Sequence, residues 1–211
     1  ENILQPELLI HINIPGYPGI FAIKDSIVAV GPDYGLGALR IFTYDNSGQA
    51  QLLISMLEFT ISAMEFIGSY LVVAGGAANM PAVFDVSNPA QPVLVYNHYE
   101  SNAHSGFIRD NMLVIVPAPW TQTYVYKRMD ISSPWNPSYQ GSFSADSWLY
   151  DLVDGEYAVG LYGTYYVISV LTGDIVNGFT TNATIPWLYS YEGSRPPYFL
   201  FQDQLWILEP R

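Results

Sequence analysis

Glu65 and Asp151 sit in apolar runs that read as strands, and paired carboxylates are the chemistry of glycoside hydrolysis. One acid would protonate the leaving oxygen while the other attacks or activates water, so both must face one substrate. Aligned on the internal repeat described below, the two fall one residue out of phase. Strand side chains alternate, which sends them to opposite faces. Asp25, Asp110, Asp154 and Glu192 fall instead at turns on the far side of the molecule. With acids present but not convergent, the expectation is a non-enzymatic chain with no catalytic residues.

Other chemistry is equally sparse. His98, Glu100 and His104 are near enough in sequence to form a metal cluster, and His11 stands apart; an imidazole after an outermost strand is more simply a solvated or backbone-bonded group. Gly31-Pro32-Asp33-Tyr34-Gly35-Leu36-Gly37 has the glycines of a phosphate loop without its Lys or following helix. Asp33 is an oxygen ligand suited to calcium, but one acid does not make a site. No Gly-x-Ser-x-Gly nucleophile motif occurs. No metal or cofactor is expected. Aromatic residues remain. Tyr17, Tyr34, Trp120, Trp148, Tyr162 and Trp187 fall in or beside loops, where rigid amphipathic rings suit a sugar face or a protein surface. Trp148 and Trp187 each open a first strand and are assigned to packing between repeats, leaving Tyr17, Asp33, Tyr34, Trp120 and Tyr162 as the binding candidates.

The elements that must position these residues come from a repeat. Phe66, a turn at Gly68-Ser69, the runs Tyr70–Ala74 and Val83–Val86, and then Val93–Tyr96 form one copy. Ile23, Ile108, Val153 and Tyr191 mark equivalent places in four others, with spacings of 43, 42, 45 and 38 residues. The last copy lacks a fourth strand, which the head segment Leu8–Ile12 supplies beside the tail Leu205–Leu208. Four strands in about 42 residues, with apolar runs unbroken by alternation, indicate an all-β, five-bladed β-propeller of four-stranded antiparallel blades. The whole of 1–211 is then one propeller, with blades near 17–57, 60–100, 103–144, 147–181 and 186–211 plus 1–16. Its ring is closed by the N-terminal strand pairing with the C-terminal strands. First-strand inlets and second-to-third connections share one face, the expected site of binding.

Two hairpins carry a further signature. Asp85-Val86-Ser87-Asn88-Pro89-Ala90-Gln91-Pro92 and Asp130-Ile131-Ser132-Ser133-Pro134-Trp135-Asn136-Pro137 repeat an Asp-x-Ser-x-Pro-x-x-Pro phrase after a strand. This arrangement resembles the LVIVD-type propeller repeat of bacterial and archaeal cell-surface and secreted proteins. The resemblance covers Tyr70–Tyr96 and, less closely, Met112–Phe143; the other copies depart from it, as at Tyr44-Asp45-Asn46-Ser47-Gly48. It implies a fold and an extracellular or cell-surface setting, with no catalytic residues to carry over.

Composition agrees with this picture. Half of the 211 residues are hydrophobic and 12% charged, with 17 Tyr, 17 Gly and 15 Pro, a balance that favours short strands and tight turns. A net charge of −12 repels nucleic acid and anionic membranes. No cysteine is present, hence no disulfide framework. Leu52–Ala74 has the length of a membrane span but contains Glu58 and Glu65, each costing roughly 2.5 to 3.5 kcal/mol at mid-bilayer; three strands account for it better. The first residue, Glu1, suggests a processed or excised chain, and Asn182-Ala183-Thr184 is a glycosylation acceptor if the host modifies exported proteins. The expected function is a binding or structural module meeting proteins or glycans through its loop face, or pairing with copies of itself. The alternatives are a five-bladed-propeller glycoside hydrolase, of the arabinanase-like or invertase-like kind, or a lectin.

Overall fold

Runs of Val, Ile, Leu and Tyr bounded by Asp, Asn, Gly and Pro produce strands and tight turns along the chain. The computed structural model describes residues 18–32, 37–45, 49–75, 81–98, 103–117, 124–145, 148–152, 157–161, 165–179, 198–201 and 204–207. The chain divides into two compact units, Glu1–Ser101 and Asn102–Arg211.

In the first unit β1 (Pro18–Lys24), β2 (Ile27–Pro32), β3 (Gly37–Tyr44) and β4 (Ala50–Phe59) form an antiparallel sheet in chain order. A second sheet follows from β5 (Ala63–Ile67), β6 (Tyr70–Ala74), β7 (Ala82–Asp85) and β8 (Val93–Asn97). The second unit holds a third sheet, β9 (Ala103–Arg109), β10 (Met112–Pro117), β11 (Tyr124–Asp130) and β12 (Ser138–Ala145). Its fourth is β13 (Trp148–Leu152), β14 (Tyr157–Leu161), β15 (Tyr165–Ser169) and β16 (Ile175–Phe179), and β17 (Tyr198–Phe201) pairs with β18 (Gln204–Ile207). The all-β class and the four-stranded antiparallel repeat are therefore as the sequence indicates. The stretch Leu52–Ala74 is strand, in β4, β5 and β6; among the described residues no helix is long and apolar enough to cross a membrane. β18 falls on the expected third strand of the last repeat. The head strand Leu8–Ile12, and with it the closure of the ring, lies outside the described residues, as does Trp187.

Within each unit consecutive sheets pack face to face. Ala22, Ala29, Leu39 and Ile41 of the first sheet meet Met64, Leu71, Val73 and Phe84 of the second in one buried cluster. In the second unit Val114, Val116, Tyr126 and Phe143 meet Leu149, Leu152, Ala158 and Ile168. The opposite faces of the interior strands are buried as well, for example Val72 and Val83, which explains why β6 and β10 read as continuous apolar runs. Each fully buried side chain of this size contributes about 1.5–3 kcal/mol. First strands of neighbouring sheets lie against each other, β1 with β5 and β9 with β13.

Two small features recur at fixed places in the repeat. The backbone N–H just beyond the register of the third strand donates to a carbonyl of the first turn: Tyr44 to Ser26 at 2.9 Å, Val86 to Ser69 at 2.8 Å, Ile131 to Asn111 at 2.8 Å. The fourth strand also slips by one residue against the third, at Leu53, Val95, Gln140 and Val176. An extra residue there bends and twists the outermost strand, which blunts a free edge that would otherwise template another chain.

Candidate binding surface

The loop end of each sheet is fixed by where its strands stop. Pro18 pairs opposite Pro32 in the first sheet, Pro117 opposite Ala103 in the third, and Leu161 opposite both Trp148 and Tyr165 in the fourth. The chain leaves these positions directly into residue 17, into 33–36, into 118–123 and into 162–164. Tyr17, Asp33, Tyr34, Trp120 and Tyr162 all lie in those segments, outside the described residues. What is described is the frame from which they depart.

In the first unit that frame is tight. Gly31, near the end of β2, packs on the side chain of Ile61, and Gly75, just past β6, approaches the Thr60 carbonyl so closely that a Cβ would overlap it. Ser62 N–H donates to the Ala74 carbonyl at 2.8 Å, closing the inlet of β5 against the outlet of β6. Chain ends from both sheets of this unit thus meet around Thr60–Ser62. In the second unit the Leu149 N–H donates to Tyr126 Oη at 3.1 Å, joining the loop end of β11 to the start of β13. Tyr126 is fully buried and stacks on Phe143 with ring centroids 5.1 Å apart. Burial pushes its phenol well above the usual tyrosine range.

The opposite, turn end is built from the repeated Asp phrase. Asp85 Oδ1 accepts the Ser87 N–H at 2.8 Å and Asp130 Oδ1 accepts the Ser132 N–H at 2.8 Å. Those backbone bonds, then the serine hydroxyls, hold both carboxyls below the ordinary aspartate range. Gln91 N–H and Asn136 N–H then donate to the carbonyls of Asn88 and Ser133, each at 2.9 Å, and in the first turn the Ala90 N–H also donates to Asn88 Oδ1 at 3.3 Å. Asp25 and Asp110 occupy left-handed positions in the first turns, with φ of 51° and 49°. Their role there is conformational, since Asp and Asn tolerate this region better than other side chains.

Of the acids weighed for hydrolysis, Glu65 is half-buried in β5 opposite Val72, and the Asp151 backbone lies in β13 opposite Val159. His98 and His104 are exposed, and Glu100 lies outside the described residues. Two rings that sequence reasoning passed over stand in the open on the turn end of the third sheet, Trp135 at 54% and Tyr139 at 61% exposure. A signal was available: Trp135 occupies the place of Ala90 in an otherwise matching phrase.

Similar solved structures are β-propeller proteins. The fold is a β-propeller. YjhT aligns with 91% of this chain and 74% of its own at 10% identity and a TM-score of 0.55. A chain from the Mitotic Checkpoint Complex aligns with 94% of this chain and 69% of its own at 14% identity and a TM-score of 0.53. The computationally designed Ika8 protein aligns over 90% and 71% at 17% identity and a TM-score of 0.51. At these identities the likeness concerns the fold. No protein-family model and no curated protein matches the sequence.

Proposed function

We propose that this propeller is a non-enzymatic binding or structural module that meets its partners through the loop end of its sheets. The strand register supports this reading: in the sequence Tyr17, Asp33, Tyr34, Trp120 and Tyr162 fall in segments that adjoin the ends of paired strands, and rigid scaffolds commonly present recognition loops from such ends. Two matching Asp85 and Asp130 turns support an LVIVD-type repeat and, with it, an extracellular or cell-surface setting. The finer arrangement proposed is five blades, with Leu8–Ile12 completing the sheet begun by β17 and β18.

The test has two arms. A protein and glycan array probed with wild type and with a Tyr34→Ala, Trp120→Ala double variant should show binding that the variant loses while its thermal melt is unchanged. Equal binding by the variant sinks the loop-end assignment. Incubation with arabinan or sucrose should release no new reducing sugar, and release that depends on Glu65 or Asp151 overturns the non-enzymatic reading.

A further inference from the structure

We draw no further inference here: the strongest candidate, the exposed apolar ridge of Val93, Leu94 and Val95 on β8, the outermost strand of the second sheet, carries nothing because nothing in the structure shows what covers it.

Discussion

Tyr126 Oη accepts the Leu149 N–H at 3.1 Å in the buried seam between the third and fourth sheets, so a single phenol ties the third strand of one repeat to the first strand of the next. Tyr126→Phe keeps the ring stacked on Phe143 but leaves that N–H buried without an acceptor. A loss of about 1–3 kcal/mol is expected, read as a lower midpoint in urea with an unchanged slope. A midpoint equal to wild type would show that the bond adds nothing.

The same phenol has a pH consequence. Burial raises its folded pKa above the unfolded value, so its contribution is complete below about pH 10 and is lost as pH climbs through the folded value. Wild type should weaken more steeply than Tyr126→Phe in strong alkali. Parallel stability curves for the two proteins between pH 9 and 12 contradict this.

At the acid end the signs reverse. Asp85 and Asp130 have folded pKa values below the unfolded ones, so the stability they supply is present above the ordinary aspartate range and fades as pH falls below about 4. Asp130→Ala should lower the melting temperature at neutral pH, while Asp130→Asn, which keeps an acceptor for the Ser132 N–H, should lower it less and flatten the acid loss. Identical acid profiles for wild type and Asp130→Asn remove the link.

Two glycines should respond in opposite ways. Gly75→Ala drives a Cβ into the Thr60 carbonyl and should cost about 1–3 kcal/mol of stability. Gly68 has φ of +58° with open space around it, and the equivalent turns place Asp25 and Asp110 at similar φ. Gly68→Asn should therefore be nearly neutral, and Gly68→Val should not. Thermal melts of the three variants decide the matter.

The edge bulges make a prediction about solubility. Deleting Val95 lets Tyr96 and Leu94 keep their partners Val83 and Phe84 in regular register, straightening an outer strand whose Val93 and Leu94 are exposed. Concentration-dependent association in light scattering is expected. A deletion variant that stays as dispersed as wild type would show that the bulge has no such protective role.

By itself the amino-acid order determined the local period and the punctuation. Apolar runs of strand length, the turns at Asp25-Ser26, Gly68-Ser69 and Asp110-Asn111, and the doubled Asp phrase are all short-range facts, and each reappears where its residues dictate. Equivalent copies could then be aligned without coordinates, which is why four-stranded antiparallel sheets were legible. What only the tertiary structure decided depends on contacts between strands far apart in the chain. The one-residue slips at Leu53, Val95, Gln140 and Val176 belong to the pairing of neighbouring strands, the Tyr126–Leu149 bond joins two sheets, and the exposure of Trp135 and Tyr139 is set by how the third sheet packs. Side-chain type sets what a residue can do; its neighbours in space set whether it is buried in the core or exposed at the surface.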